Sequence, residues 1–364
     1  MSGTEENNFQ EKSFSKKLIS WHKLHGRHNL PWQANKNPYE IWISEIMLQQ
    51  TQVSTVLQYY EKFIKKYPTI KDLSSSRLEN VLELWSGLGY YRRAEYIFKT
   101  SQIIKEKHNY IFPETYEELI QLPGVGKSTA GAILSLAYNK KFPILDGNVK
   151  RVIKRYFAIR GDQNNEKNLW EISEYLLPKK NNNIYTQSIM DLGSKICMKN
   201  NPLCEKCPIK LKCKSFELGL TNVIPEKIEK IKRKNKKLFF FLIQHPNDKN
   251  LILMKKNDNK GLWANLWSLP LFEKEKNYKE FLKNNQIESK KIIYLNFAHD
   301  LTHLKLDIII YKVDAKMSNK FNNYNWKNIY DIIGVSKPII KVIKKLKEDI
   351  NNEKSNVLKI KKRA

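Results

Sequence analysis

What this sequence lacks is informative first. It has only four cysteines, all between Cys197 and Cys213. A secreted fold stapled by disulfides spreads its cysteines through the chain, so that class is set aside. Long apolar runs are missing: Leu238 to Ile243 is among the longest, far short of the ~20 residues a bilayer-spanning helix needs. Met1 to Gln10 is polar, so no export signal is expected. A cytoplasmic protein without membrane segments is the expectation. Acidic residues are also scarce, 37 against 65 Lys and Arg, for a net charge of +28. That surplus suits a polyanionic partner, because basic side chains release counterions on meeting phosphates. A composition rich in lysine and asparagine would give the same charge whatever its task, as tracts such as Ile228 to Lys237 illustrate. Charge alone does not separate DNA from RNA.

What is present suits two domains. The chain has 364 residues with 41% hydrophobic and 11% aromatic content, enough for two cores. Residues 9–224 read as helical. Asn37-Pro38 is an N-cap followed by proline at the first helical position. Tyr39 to Lys65 then carries Ile41, Ile46, Leu48, Val53, Val56, Tyr60 and Phe63 at helical spacing, closed by Pro68. Tyr116 to Leu122 and Thr129 to Tyr138 are further helical segments. Residues 225–237 are charged and read as an exposed linker. Beyond it, Leu238 to Gln244, Leu251 to Lys255 and Leu306 to Val313 are strand-like, and Tyr278 to Asn284 and Lys337 to Lys347 helical. Residues 238–350 therefore form a smaller α/β domain, and 351–364 a basic tail expected to be disordered.

Four local patterns carry chemistry. In Leu122-Pro123-Gly124-Val125-Gly126-Lys127-Ser128, two glycines around an apolar residue make a tight turn between helices. Its backbone N–H groups and the following helix N-terminus suit a phosphate. A nucleotide-binding P-loop would need glycine at position 121, which is Gln121. Asp146 follows an apolar stretch and precedes Gly147-Asn148; alone it reads most simply as a helix cap. Glu45 sits in Trp42-Ile43-Ser44-Glu45-Ile46-Met47-Leu48, where a buried, unpaired carboxylate is costly: it either faces solvent or is kept for function with a raised pKa. Two carboxyl groups about a glycosidic bond can protonate a leaving group and stabilise an oxocarbenium-like ion. Lastly, Cys197, Cys204, Cys207 and Cys213 can hold either a [4Fe–4S] cluster or Zn²⁺. Lysines 195, 199, 206, 210, 212 and 214 surround them.

Taken in order, these motifs resemble the MutY family of helix-hairpin-helix DNA glycosylases. Leu30-Pro31-Trp32, Ser44 to Val53, Gly87-Leu88-Gly89-Tyr90-Tyr91, Leu122 to Ala132, Pro143 to Val152 and the four cysteines carry the likeness, over about Phe14 to Leu346. The resemblance implies a mainly α helix-hairpin-helix domain with an iron–sulfur loop, then an α/β Nudix-like domain. It implies excision of adenine opposite 8-oxoguanine or guanine in double-stranded DNA by a monofunctional glycosylase, for which a monomer suffices. Glu45 is similar to the acid that protonates adenine N7, with a later part in activating water. Asp146 is similar to the carboxylate that stabilises the sugar cation, with Asn148 positioning it. Arg27, Trp32, Leu48 and Gln187 resemble adenine-pocket residues. Gln50, Thr51, Leu88 and Tyr90 resemble the group that wedges into the base stack and meets the lesion. Gly124, Val125, Gly126 and Ser128 resemble the DNA-binding hairpin. The cysteines resemble ligands of one [4Fe–4S] cluster.

Gly261-Leu262-Trp263 and Leu269-Pro270 carry the likeness of the second domain, whose Thr302 and His303 match a lesion-reading loop. There Leu301 replaces the family's aromatic residue. The acidic helix motif of the Nudix hydrolases is missing from Phe272 to Leu282, which implies recognition rather than hydrolysis. The endonuclease III-like relatives, which cleave through a lysine nucleophile, are the main rival; this chain has Ser128 at that position.

Overall fold

Helical periodicity dominates the first 220 residues, and helices form there. In the computed structural model, which describes residues 2–161, 166–226, 233–287, 292–314, 321–332 and 334–361, they are α1 (Ser2–His25), α2 (Pro38–Leu48), α3 (Val53–Lys66), α4 (Ile70–Ser74), α5 (Leu78–Leu84), α6 (Arg92–His108), α7 (Tyr116–Leu119), α8 (Lys127–Tyr138), α9 (Gly147–Tyr156), α10 (Glu166–Tyr175), α11 (Asn182–Lys195) and α12 (Lys214–Glu217). The starts are chemically marked. Asn37 accepts from the Tyr39 amide at 2.9 Å, with Pro38 opening α2. Thr69 and Asp72 form a reciprocal capping box at α4.

The stretch Tyr39 to Lys65 is two helices, not one. Gln50 adopts a left-handed conformation (φ 56°) between α2 and α3, and the Gln49 side-chain amide is drawn to the Gly124 carbonyl at 3.2 Å. No glycine or proline marks the break, so tertiary contact overrides local propensity. Among the described residues, half of the non-glycine positions with positive φ are asparagines: Asn109, Asn139, Asn181, Asn201, Asn265 and Asn323.

The chain divides into two compact units, Met1–Ser76 with Glu95–Glu229, and Arg77–Ala94 with Lys230–Ala364. In the first, α1 contributes Phe14, Leu18 and Trp21 to a core shared with Val149, Val152, Ile153 and Tyr156 of α9 and Tyr185, Ile189 and Leu192 of α11. Truncating a residue such as Leu18 there would cost about 2–5 kcal/mol.

The second unit holds β1 (Lys234–His245), β2 (Asp248–Lys256), β3 (Trp267–Ser268), β4 (Leu271–Phe272), α13 (Glu275–Asn284), β5 (Ile292–Asp300), β6 (Leu304–Asp314), β7 (Asn325–Asn328) and α14 (Lys337–Lys361). The sheet runs β3-β2-β1-β6-β5, with β4 on β1 and β7 on β2. β1 and β6 pair in parallel, while the other pairs are antiparallel. The apolar run of β1 is buried on both faces. Leu238, Phe240 and Leu242 pack with Ile339, Val342 and Leu346 of α14. Phe241 and Ile243 pack with Tyr278 of α13. A strand covered on both sides reads as continuous hydrophobicity, not alternation.

Several boundaries differ from the sequence reading. β1 begins at Lys234, inside the stretch read as linker; residues 227–232 lie outside those described. β5 adds a strand to those expected: its start, Ile292 and Ile293, is apolar yet exposed, and its alternation begins only at Leu295. α14 continues to Lys361 through the segment expected to be disordered, since no glycine or proline interrupts it; residues 362–364 are not described. Arg77–Ala94, expected within the helical domain of residues 9–224, clusters with the second unit. There Ser86 Oγ and Tyr91 OH both donate to the Val335 carbonyl, at 2.9 and 3.0 Å, and Lys256 pairs with Glu79 at 2.6 Å.

Candidate active site

Glu45 lies on α2 with Ile41, Trp42, Ile43, Ser44, Ile46 and Met47 all buried around it. Burial, with a smaller contribution from the nearby Asp146 charge, pushes its carboxyl up to about 7. The structure thus brings together two carboxylates that lie a hundred residues apart in sequence. Asp146 caps α9: its Oδ1 accepts from the amides of Asn148 at 2.9 Å and Val149 at 2.7 Å. Burial raises the Asp146 pKa, although those amides and Arg151 oppose the rise. The helix cap and the candidate catalytic carboxylate are therefore the same residue. One carboxyl near neutrality beside another held by backbone donors is how an acid and an anion coexist in one site.

Asn148 is positioned through Arg151, whose Nη2 donates to Asn148 Oδ1 at 2.8 Å and to the Gly193 carbonyl at 2.6 Å. Arg151 Nε also donates to the Cys197 carbonyl at 2.7 Å. Ser128 is occupied structurally, its hydroxyl accepting the Leu145 amide at 3.0 Å. Lys127 points away, its ammonium 4.2 Å from the Trp170 ring centroid.

Arg27 and Gln187 converge on a residue the sequence reading missed. Asp191, buried on α11, accepts from Arg27 Nε and from Gln187 Nε2. A signal existed: Asp191 stands in Ile189-Met190-Asp191-Leu192-Gly193, the same lone carboxylate in an apolar run that singles out Glu45. Trp32 is buried in a short 3-10 turn, edge-on to Tyr60 at 5.1 Å between ring centroids. Leu48 ends α2 half-buried.

In the hairpin, Gly124 has φ +81° and Val125 is buried. Gly126 has an ordinary φ of −91°, and a Cβ there would meet nothing within 4 Å. Neither backbone nor packing requires glycine at 126, so its place is open for a ligand's close approach.

Gln50 and Thr51 occupy the α2–α3 break in the first unit. Leu88 and Tyr90 belong to the second. Leu88 is 7% exposed and Tyr90 47%, with φ 49°. A non-glycine residue held left-handed costs about 1–3 kcal/mol and recurs at functional sites. Trp85 Nε1 and Arg93 Nη2 both donate to the Gly89 carbonyl at 3.0 Å, which fixes that turn. Thr302 and His303 are exposed between β5 and β6, and Thr302 Oγ1 lies 3.1 Å from Tyr90 OH. Leu301 packs against the core.

The four cysteines line one small apolar cleft with Arg155, Leu192, Ile196 and Ile209. Arg155, itself buried, holds the loop from inside. Its Nε donates to the Ile224 carbonyl at 2.7 Å, Nη1 to the Met198 carbonyl at 2.6 Å and Cys197 Sγ at 3.4 Å, and Nη2 to the Lys199 carbonyl at 3.1 Å. Burial pushes the Cys207 thiol up to about 12, so thiolates there need a cationic partner. Among the described residues, no three His, Cys, Asp or Glu side chains gather closely enough for a single metal ion.

Comparison with known proteins identifies the family. Residues 43–178 match the HhH-GPD superfamily of base excision DNA repair proteins, and residues 239–346 match the NUDIX domain. An adenine DNA glycosylase of Buchnera aphidicola subsp. Baizongia pistaciae (strain Bp) is 44% identical over 92% of this chain and 97% of its own length. The chain belongs to the adenine DNA glycosylase family. The corresponding protein of Buchnera aphidicola subsp. Schizaphis graminum (strain Sg) is 41% identical over 91% of this chain and 97% of its own. Among solved structures, a thermostable thymine-DNA glycosylase is 30% identical with a TM-score of 0.54, covering 58% of this chain and 98% of its own. Membership in this family makes the chain a DNA N-glycosylase with a helical HhH-GPD domain and a C-terminal Nudix domain. No described helix is long and apolar enough to cross a membrane.

Proposed function

We propose that this glycosylase excises adenine paired with 8-oxoguanine or guanine from double-stranded DNA, hydrolysing the N-glycosidic bond without a lyase step. The observation that carries the reading is Glu45, a carboxyl raised to about 7 beside the capped Asp146. The adenine leaves the base stack before reaction, as any base acted on in this way must. Protonated Glu45 gives its proton to N7, the C1′–N9 bond breaks, and its electron pair goes to the base. Asp146 stabilises the sugar cation, held by the Asn148 and Val149 amides, while Asn148 and Arg151 fix its setting. Water adds at C1′ and its proton returns to the Glu45 carboxylate.

Arg27, Trp32, Leu48 and Gln187 would line the adenine pocket. The hairpin Gly124-Val125-Gly126 with Ser128 would meet a phosphate. Gln50, Thr51, Leu88 and Tyr90 would enter the stack, and Thr302 and His303 would read the lesion. Ser128, bound to the Leu145 amide, supplies no amine, so no Schiff base forms.

Cys197, Cys204, Cys207 and Cys213 would hold one [4Fe–4S] cluster. Zinc sites of this kind are built from two close cysteine pairs, and here only Cys204 and Cys207 form one, which favours the cluster. When bound, the group braces the lysine-bearing loop.

The test is single-turnover excision on duplexes with A opposite 8-oxoguanine, G or T, and thymine glycol opposite A. Adenine released from the first two, with strands intact until alkali is added, is the expected result. Strand cleavage at thymine glycol without adenine release would overturn the reading.

A further inference from the structure

Asp191 plays no part in the steps above, yet it is among the most heavily bonded carboxylates described. Its side chain has no solvent exposure. It accepts from Arg27 three times: the backbone amide at 2.7 Å, Nε at 2.8 Å and Nη2 at 2.5 Å. Gln187 Nε2 donates at 2.9 Å, and His22 Nε2 lies at 3.3 Å. Burial alone would raise its pKa, but the His22 and Arg27 donors overrule it and bring the carboxyl down to about 2. Asp191 is therefore ionised throughout the working range and can only accept.

An acceptor-only neighbour decides how a carboxamide sits. With Nε2 bound to Asp191, Gln187 keeps Oε1 and one N–H for anything entering the site, in a fixed arrangement. The same carboxylate sets the plane of the Arg27 guanidinium. α11 then places Gln187 near the chemistry, because Gly193 of that helix packs on Asn148, about 9 Å further along the axis at 1.5 Å per residue. Lys195 secures the arrangement by donating to the His25 carbonyl at 2.7 Å.

We propose that Asp191 is a positioning residue that orients the Gln187 amide and the Arg27 guanidinium, and so sets selectivity for a purine bearing a 6-amino group over one bearing a 6-oxo group. A 6-amino group donates, and the Oε1 opposite the Asp191-bound Nε2 accepts; a 6-oxo group would place two acceptors face to face. The inference rests on the adenine reading above.

The test compares single-turnover excision of adenine and of hypoxanthine, each opposite the same base, by wild type, Asp191→Asn and Gln187→Asn. The asparagine at 191 can donate as well as accept, so the Gln187 amide is free to turn over. The shorter amide at 187 leaves Asp191 but spares every Arg27–Asp191 bond. In both variants the adenine-to-hypoxanthine rate ratio should fall at least tenfold, a modest share of what a hydrogen-bonding site can discriminate (about 10⁴-fold). Binding to an uncleavable duplex should stay within about threefold, as expected when the phosphate contacts are untouched. Equal slowing of both bases in Asp191→Asn would reduce Asp191 to a brace and overturn the inference. If Asp191→Asn does not fold, Gln187→Asn decides alone: a wild-type ratio there is equally fatal. Failure of the wild type to release adenine at all would instead sink the underlying reading.

Discussion

Gly193 of α11 lies so close to Asn148 of α9 that a Cβ at 193 would stand 2.6 Å from the Asn148 Cβ and 3.2 Å from its backbone. The start of α9, and with it Asp146, is seated directly against another helix. Gly193→Ala must push Asn148 aside. Displacements of about 1 Å at a reacting group can cost ~10²-fold in rate, so excision should drop at least tenfold while DNA affinity stays near wild type. Single-turnover rates set beside binding to an uncleavable duplex make the check.

Glu45 gives a pH signature. It acts as an acid only when protonated, and its carboxyl is raised to about 7. Excision should therefore decline as pH rises through 7. Glu45→Gln should lower the rate about 10²–10⁴-fold, the usual worth of a positioned acid, and bind DNA normally. A rate flat from pH 5.5 to 8.5 in the wild type would remove Glu45 from the role.

The same shift has a stability consequence of opposite sense to most carboxylates. Between about pH 4.5 and 7 the folded chain keeps a proton on Glu45 that the unfolded chain has lost. Stability is thus withdrawn as pH rises through that window, by roughly 2–3 kcal/mol after allowing for solvent access. Urea unfolding should show Glu45→Gln more stable than wild type at pH 8, with the gain gone near pH 4.

Arg155 should be indispensable to the cysteine loop. Arg155→Met strands the carbonyls of Ile224, Met198 and Lys199, each unsatisfied group costing about 1–3 kcal/mol. A large fall in melting temperature and loss of bound iron are expected. Lys206→Met, on the exposed side of the loop, should leave melting nearly unchanged and weaken DNA binding.

The two hairpin glycines should separate folding from binding. Gly124→Ala meets both a positive φ and Tyr96 at 3.0 Å, and should destabilise by about 1–3 kcal/mol. Gly126→Ala meets nothing in the protein and should fold as wild type yet bind duplex DNA more weakly. Equal affinity in Gly126→Ala and wild type would count against a phosphate at the hairpin.

Much of this was legible because chemistry leaves marks in local sequence. Glu45 is conspicuous as a charge among apolar neighbours, and Asp146 as a cap. Their meeting was not legible, since it depends on how α2 and α9 pack. Asp191 carried the same mark as Glu45, but its partners, Arg27 and His22, lie more than 160 residues away. The helix break at Gln50 and the assignment of Arg77–Ala94 to the second unit had no mark: the first arises from a left-handed residue without glycine, the second from hydroxyl donors reaching Val335. β5 escaped because its apolar start, Ile292 and Ile293, is exposed and alternation begins only at Leu295.

The asparagines at left-handed positions give the chain's unusual composition a benign address. Asparagine is the residue that, after glycine, enters that conformation most readily. A drift toward amide side chains can therefore accumulate at turns such as the end of α8, where Asn139 terminates the helix, without distorting any core. Gln50 and Tyr90 stand outside that economy. There, as at Tyr110, Ala158, Trp263 and Gln286, the backbone holds a conformation that costs about 1–3 kcal/mol for such a residue, so replacement by asparagine or glycine would relieve strain while removing the side chain.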